Sequence, residues 1–112
     1  NIAPLEHDVW SHKQLLDVVS HTPTEVEKLT RFQAGLGWVD TGRHFTPPDQ
    51  KLYTWWSYRN RDWKISIRGR RLDHIWVTPP LADNLKSHLT LPDARDWEKT
   101  SDHIPVVTEI NI

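Results

Sequence analysis

A helix start at Thr22 constrains the fold of this chain more than any other feature of its sequence. Thr22 predicts an N-cap, Pro23 suits the first helical position, and Glu25 stands three residues after the cap, where it closes a capping box. Apolar residues then recur at helical spacing, namely Val26, Leu29 and Phe32. Two glycines, Gly35 and Gly37, predict the end of the helix.

Extended segments account for much of the remaining chain. Residues 38–40 form a short extended piece, and aromatic and β-branched residues predict strands at 52–58, 72–78 and 104–112. Residues 81–91 are expected to hold a short helical turn and a further extended piece. One capped helix followed by strands on long loops predicts an α+β fold with a mixed, mainly antiparallel sheet.

Length and composition narrow the class of protein. With 112 residues and no internal repeat, the chain is expected to form one domain. It has no cysteine, which excludes a disulfide framework and a thiolate metal site. Its apolar runs are far shorter than the ~20 residues that cross a bilayer, so we expect a soluble protein of a reducing compartment with no membrane partner. Methionine is also absent and the chain begins at Asn1, so we expect either that processing has removed an N-terminal portion or that this is only part of a longer chain.

The net charge of −1 conceals a basic segment that runs from Arg59 to Arg71. Six basic residues stand there against one acid, Asp62, so the segment carries +5 and the rest of the chain −6. Trp63 lies inside it, and an aromatic run that ends at Tyr58 precedes it. Cations that neutralise phosphates beside rings that stack on bases are typical of nucleic-acid binding. A solvated hairpin loop explains the segment equally well.

Two aspartates occupy positions that suggest chemistry. Asp73 lies in a predicted strand with apolar residues around it, so its carboxylate is expected to be removed from water and to need a partner. That partner is either Arg71 or another arginine of the basic segment, in a local salt bridge, or a histidine that the carboxylate orients and makes more basic. Asp102 and His103 begin the last predicted strand, where adjacent side chains point in different directions. Asp102 could therefore face a metal ion while His103 faces a substrate phosphate. A turn capped by Asp102 is the simpler explanation.

Seven histidines raise the question of a metal site. The densest group contains His7, Asp8 and His12. Its histidine spacing of five does not place both rings on one helix face, and no cysteine completes a zinc set. A metal role for this group is therefore disfavoured.

Longer motifs resemble the exonuclease III family of DNA-repair nucleases, which belongs to a larger group of metal-dependent endonuclease, exonuclease and phosphatase folds. The motifs are Asn1-Ile2-Ala3, Thr22-Pro23 with Glu25, Gly37-Trp38-Val39-Asp40-Thr41-Gly42-Arg43-His44, Tyr53-Thr54-Trp55-Trp56-Ser57-Tyr58-Arg59, Gly69-Arg70-Arg71-Leu72-Asp73-His74-Ile75 and Ser101-Asp102-His103-Ile104-Pro105-Val106. They follow the family's order and spacing over nearly the whole chain. The last motif is shared with sphingomyelinases, inositol phosphatases and deoxyribonuclease I-like enzymes, whereas the motifs at 53–59 and 69–75 indicate the DNA-repair branch.

The resemblance implies a fold and a domain boundary. The family fold is a four-layer α/β sandwich, in which residues 1–112 would be a single partial domain, the C-terminal half, without the N-terminal half. A sheet with one flanking helix would then expose a large apolar face to water. We expect this face to pair with the missing N-terminal half or to form a homo-oligomer.

The resemblance also implies an activity and a location. Members hydrolyse phosphodiesters of double-stranded DNA with Mg²⁺, or alternatively Mn²⁺, at abasic sites as endonucleases and from 3′ ends as exonucleases. A bacterial, cytoplasmic, nucleoid-associated protein is implied. The family's metal-binding glutamate and active-site tyrosine would lie upstream of Asn1, so the chain alone is expected to be inactive. A non-catalytic half-domain that binds DNA or self-associates is the alternative.

Site roles follow from the same resemblance. Asn1 would position the phosphate and the attacking water, Asp73 and His103 would form a catalytic carboxylate–imidazole pair, and Asp102 would help to bind the metal. The residues expected to contact DNA are Trp55, Tyr58, Arg59, Arg70 and Leu72. Of these, Trp55 and Leu72 would line the pocket for a flipped abasic sugar, while Arg59 would enter the DNA from a loop. Arg70 departs from the family, because many members have a large apolar pocket residue at its position.

Overall fold

The computed structural model describes residues 1–58, 68–98 and 100–112. Its helices are His12–Leu15 (α1), Pro23–Leu36 (α2) and Thr41–Phe45 (α3), with 3-10 helices at Glu6–Asp8, Pro79–Asn84 and Pro92–Asp96. Its strands are Val39–Asp40 (β1), Trp76–Val77 (β2), Leu85–Thr90 (β3) and Val106–Ile110 (β4). Within these described ranges the strands form two antiparallel pairs, β1 with β2 and β3 with β4. The mixture of helices and antiparallel strands confirms the predicted α+β class.

Helix α2 begins and ends as its sequence predicts. The Thr22 hydroxyl accepts a hydrogen bond from the backbone N–H of Glu25, and the Glu25 carboxylate accepts one from the backbone N–H of Thr22. Gly37 closes the helix in the left-handed conformation, with φ of 65°. Gly35 lies inside α2, so the prediction that it helps to end the helix is wrong.

The strands predicted at 52–58 and 72–78 are largely wrong. Residues 52–58 form no regular strand, although Trp55 makes single antiparallel bridges to Arg70 and to His103. In the second segment only β2 is a strand. The Thr54 hydroxyl accepts hydrogen bonds from the backbone N–H groups of Leu72 and Asp73, and this side-chain contact replaces the ladder that two regular strands would form.

The remaining extended predictions are confirmed. Residues 38–40 contain β1, which pairs with β2, and residues 104–112 contain β4. The 81–91 segment has the expected helical turn, whose 3-10 helix starts at Pro79, followed by β3. Strands β3 and β4 pair in antiparallel register with a bulge between Leu85 and Ser87.

Among the described residues, buried apolar side chains form two small clusters. Ala3, Val9, Leu15 and Leu72 form the first, against which Trp55 packs. Trp56 and Ile104 form the second. No helix among the described residues is long and apolar enough to cross a membrane.

Candidate active site

Four backbone segments lie side by side at the candidate site. Single antiparallel bridges join Val9 to Arg70, Arg70 to Trp55, and Trp55 to His103. Directly opposed residues in antiparallel segments lie about 5 Å apart and point to the same face. Arg70, Trp55 and His103 therefore form a row of side chains on one face, which we call the site row.

His103 carries the clearest chemical geometry. Its Nδ1 lies 2.7 Å from Oδ2 of Asp73. An ionised carboxylate only accepts hydrogen bonds, so Nδ1 donates and Nε2 is left for a substrate. The side chains of His103 and Asp73 are 30% and 36% exposed, so both can be reached from solvent. The expectation that the Asp73 carboxylate is removed from water is therefore wrong, and its partner is His103 rather than Arg71.

Thr54 fixes the position of Asp73. Its hydroxyl donates to Oδ2 of Asp73 at 2.7 Å and accepts from the backbone N–H groups of Leu72 and Asp73 at 3.0 and 3.2 Å. Thr54 is 1% exposed, so water does not compete for these bonds. Sequence reasoning missed this residue, although a polar side chain between the aromatic residues of a predicted strand was a signal.

Asp102 lies next to the Asp73–His103 pair. Its Oδ2 accepts a hydrogen bond from the Trp55 indole N–H at 2.9 Å, and its Oδ1 lies 3.9 Å from Nε2 of His103. Among the described residues, no group of three or more His, Cys, Asp or Glu side chains has a geometry that could hold a metal ion. Mg²⁺ commonly binds one or two carboxylates together with substrate phosphates and water, and Asp102 fits such an ion as a single ligand.

The predicted DNA-binding residues differ in their exposure and in their contacts. Trp55 and Arg70 stack in the site row, whereas Leu72 is 7% exposed and packs mainly in the first core cluster. Tyr58 is 59% exposed, its hydroxyl donates to the carbonyl of Thr100, and a buried arginine, Arg95, lies against its ring. Arg59 and residues 60–67 of the basic segment lie outside the described residues.

Asn1 is exposed and makes no hydrogen bond to Asp73 or His103. The next carbonyl, that of Ile2, accepts from Nε2 of His74 at 2.6 Å, which places the start of the chain beside the segment that carries Asp73. Burial lowers the pKa of His74, and the neighbouring positive charge of Arg71 lowers it further.

A buried ion-pair network supports this segment from the interior. Arg71 is 2% exposed and forms two hydrogen bonds to each of two carboxylates, those of Asp8 and Asp40, at 2.7–3.0 Å. Arg43 also binds Asp8. Burial by itself would raise the pKa of Asp40, but the hydrogen bonds and charge of Arg71 hold it below its ordinary value. These contacts occupy Arg71, which is why Asp73 does not pair with it.

The residues of the histidine group near the start of the chain do not converge on one site, because they contact different partners. Nδ1 of His12 lies 2.7 Å from Nε2 of His21, whose Nδ1 donates to the carbonyl of Ala3. Asp8 is fully buried in the ion-pair network. The structure therefore gives His12 and Asp8 different partners.

Comparison with known proteins gives similarity along the whole chain. No protein-family model matches it. It is 34% identical over 114 residues to an exodeoxyribonuclease of Bacillus subtilis, covering 100% of this chain and 42% of that protein. It is 34% identical over 115 residues to a DNA-(apurinic or apyrimidinic site) endonuclease of Dictyostelium discoideum, covering 99% of this chain and 30% of the relative. The chain thus spans less than half the length of these relatives.

Solved structures give the same result. An AP endonuclease from Archaeoglobus fulgidus superposes with a TM-score of 0.92 at 31% identity, covering 99% of this chain and 42% of the other. The resemblance to the exonuclease III family is confirmed. A second solved structure, that of the 3′ phosphatase NExo from Neisseria bound to product DNA hairpin, superposes with a TM-score of 0.89 at 30% identity, covering 100% of this chain and 42% of that one. Exonuclease III relatives match this chain with their C-terminal part.

Proposed function

We propose that this chain is the C-terminal half of a DNA-repair nuclease that hydrolyses phosphodiesters at abasic sites and from 3′ ends. The observation that carries the proposal is the Asp73–His103 pair beside Asp102 and Trp55. Relatives named as an exodeoxyribonuclease and as an apurinic or apyrimidinic site endonuclease support it.

The chemistry that these residues suit is attack of water on phosphorus, with the bond to the leaving oxygen breaking. Because Nδ1 of His103 donates to Asp73, Nε2 is the atom that can take a proton from the water in the neutral ring, or donate to a non-bridging phosphoryl oxygen in the protonated ring. Asn1 would position the phosphate. A Mg²⁺ or Mn²⁺ ion held by Asp102 would neutralise charge on the phosphoryl oxygens.

The DNA-facing residues in this proposal are Trp55, Tyr58, Arg59, Arg70 and Leu72. The exposed Tyr58 ring is supported from behind by the Arg95 guanidinium, whose central carbon lies 4.9 Å from the ring centroid. A fixed, exposed ring is suited to stacking on a base. Arg59 stays a prediction from the sequence.

The β3–β4 sheet supports an association proposal. Leu89 and Val107 face each other across the pair and are 44% and 42% exposed, while the opposite face carries His88 and Thr108 against Thr41 of α3. We infer that the Leu89–Val107 face pairs with an N-terminal half or with a second copy. A non-catalytic half-domain remains the alternative function, and the cytoplasmic, nucleoid-associated location remains a prediction.

Hydrolysis assays test the proposed function. The 112-residue chain and the longer protein that we expect to contain it would be incubated with Mg²⁺ and a duplex that has one abasic site. We expect the chain alone to be inactive and the longer protein to cleave. His103→Ala should slow that cleavage by roughly 10²–10⁴-fold, the range for loss of an acid–base group.

A matched control is His44→Ala, which removes an exposed histidine whose ring meets that of Phe45 edge to face and which is distant in sequence from Asp73 and Asp102. It should leave the rate unchanged. An undiminished rate in His103→Ala would contradict the proposal, and failure of the longer protein to cleave would favour the non-catalytic alternative.

A further inference from the structure

The peptide that joins Ile2 to Ala3 is held by hydrogen bonds on both of its sides. The Ile2 carbonyl accepts from Nε2 of His74 at 2.6 Å. The Ala3 N–H donates to the carbonyl of Ser20 at 2.8 Å. Because a peptide unit is planar, bonds at its carbonyl and at its N–H fix its orientation. These two contacts therefore set the direction in which the chain leaves toward Asn1.

The Ala3 end of this peptide is tied to the interior. Its carbonyl accepts from Nδ1 of His21 at 2.8 Å, and Ala3 and His21 are 0% and 2% exposed. Ala3 also belongs to the first core cluster. Water does not compete for bonds that are buried in this way. Asn1 lies beyond Ile2, on the other side of the peptide, so the contact at the Ile2 carbonyl is the one that decides its position.

His74 and the preceding residue, Asp73, join the start of the chain to the catalytic pair. The Asp73 carboxylate accepts from Nδ1 of His103, while the imidazole of His74 donates to Ile2. Two consecutive residues thus contact both the imidazole that is proposed to meet the phosphate and the segment that carries Asn1. A shift of the His74 ring would change the distance between Asn1 and His103.

The two ring nitrogens of His74 have different surroundings. A carbonyl only accepts hydrogen bonds, so Nε2 carries the hydrogen that Ile2 receives. Burial lowers the pKa of His74, and the positive charge of Arg71 lowers it further, so the ring is neutral at neutral pH and Nδ1 has a lone pair. Within residues 1–58, 68–98 and 100–112, this buried Nδ1 has no hydrogen-bond partner.

The unpaired Nδ1 makes histidine an unfavourable choice for packing alone. A buried acceptor without a partner costs as much free energy as one neutral hydrogen bond contributes, or more, so the bond to Ile2 gives His74 little net stabilisation. The ring centroid lies 6.4 Å from that of Trp76, an environment that a leucine side chain would also suit. The Nε2–H group is therefore better explained by what it holds in place.

We propose that His74 is a positioning residue that holds Asn1 at a fixed place relative to His103. It acts through the Ile2 carbonyl and touches no reacting atom itself. This assignment rests on the proposed function, which supplies the roles of Asn1 and His103. Because the contribution of His74 is to position and not to stability, the activity and the stability of its variants should change differently.

Two substitutions of His74 separate positioning from packing. His74→Leu removes the Nε2–H donor and the unpaired Nδ1 together, so the free energy of unfolding of the 112-residue chain, measured in urea by tryptophan fluorescence, should stay the same or rise. In the longer protein with Mg²⁺, kcat for abasic-site cleavage should nonetheless fall by about 10- to 100-fold, the range for catalytic groups misplaced by up to about 1 Å. His74→Gln keeps an N–H donor near the position of Nε2 and should recover most of kcat.

A double-mutant cycle identifies the residue through which His74 acts. Asn1→Ala should itself slow cleavage, and in that background His74→Leu should change kcat by less than about twofold, because the side chain that His74 positions is already absent. His44→Leu is the matched control, since His44 is an exposed histidine whose ring contacts Phe45. It should leave kcat and the free energy of unfolding unchanged.

Three results would overturn the assignment while the proposed function stands. They are an undiminished kcat in His74→Leu, an equal fold-loss of kcat with and without the Asn1 side chain, and a loss of stability in His74→Leu that parallels its loss of kcat. Failure of the longer wild-type protein to cleave would instead reject the proposed function, and the assignment with it.

Discussion

The Thr54 hydroxyl links three parts of the candidate site. It orients the Asp73 carboxylate, and it also holds the backbone at Leu72 and Asp73. Asp73 in turn fixes the imidazole of His103. A small displacement of the Thr54 side chain would therefore also move Nε2 of His103, the atom proposed to meet the substrate.

Replacement of Thr54 by valine should separate this positioning role from a structural one. Thr54→Val keeps the shape but removes the hydroxyl, so we expect kcat for abasic-site cleavage by the longer protein to fall roughly tenfold, the equivalent of one hydrogen bond to a charged group. KM should stay unchanged. Thr54→Ser restores the hydroxyl and should recover most of kcat. Equal losses in the serine and valine variants would show that Thr54 acts only through packing.

At the residue scale, sequence motifs selected the candidate site residues but not their geometry. Asp73, Asp102 and His103 could be selected from their motifs, and the structure brings all three together. The hydroxyl of Thr54 left only a weak signal, a polar side chain within an aromatic run. Its role depends on hydrogen bonds to a segment that single backbone bridges bring alongside, and such bridges leave no periodic pattern in a sequence.

The elements around the site are joined by the buried Asp8–Arg71–Asp40 network. Asp40 is the last residue of β1 and also caps α3 through the backbone N–H of Arg43, while Asp8 ends the first 3-10 helix. Arg71 precedes the segment that carries Asp73. The network therefore joins β1, α3 and the first 3-10 helix. Each of these elements is short and can bury few side chains of its own.

Loss of Arg71 should destabilise the fold strongly. Arg71→Leu leaves Asp8 with Arg43 as its remaining arginine and leaves Asp40 with no arginine side chain among the described residues. Removal of one partner from a buried ion pair costs about 3–5 kcal/mol of unfolding free energy. Urea unfolding, followed by tryptophan fluorescence, would measure it. Arg31→Leu is the control, because the Arg31–Glu27 pair is exposed, and its effect should be less than about 0.5 kcal/mol. Similar losses in both variants would show that the network adds no special stability.

Element predictions succeeded where the signal was local. Helix α2 was predicted because its cap and its spacing lie within the helix itself. The segment at 52–58 has strand-like composition, yet its backbone is held by the side chain of Thr54 and by single bridges, so composition alone overestimated the strand.

At the scale of the whole molecule, apolar surface remains uncovered. Besides Leu89 and Val107, helix α2 has no buried residue, and Phe32 and Leu36 on it are 62% and 67% exposed. Monomeric soluble proteins rarely leave large contiguous apolar patches in water.

Association through the β3–β4 face can be tested by introducing a charged side chain on that face. Leu89→Lys should convert a self-associating 112-residue chain into a monomer, because a lysine on this face would be buried in the contact. Sedimentation velocity at micromolar concentration would measure this. Val19→Lys is the control, since Val19 is 75% exposed and lies in the loop after α1. A monomeric wild-type chain would contradict self-association and favour pairing with the N-terminal half.

The single bridges of the site row have a consequence for its dynamics. A regular ladder shares the cost of opening among many hydrogen bonds, whereas Arg70, Trp55 and His103 are joined one pair at a time. The row can therefore separate by local opening while the core clusters stay folded. A ligand that contacts several of its side chains binds only the closed form, so tighter binding and slower amide hydrogen exchange at Trp55 and Arg70 are thermodynamically coupled.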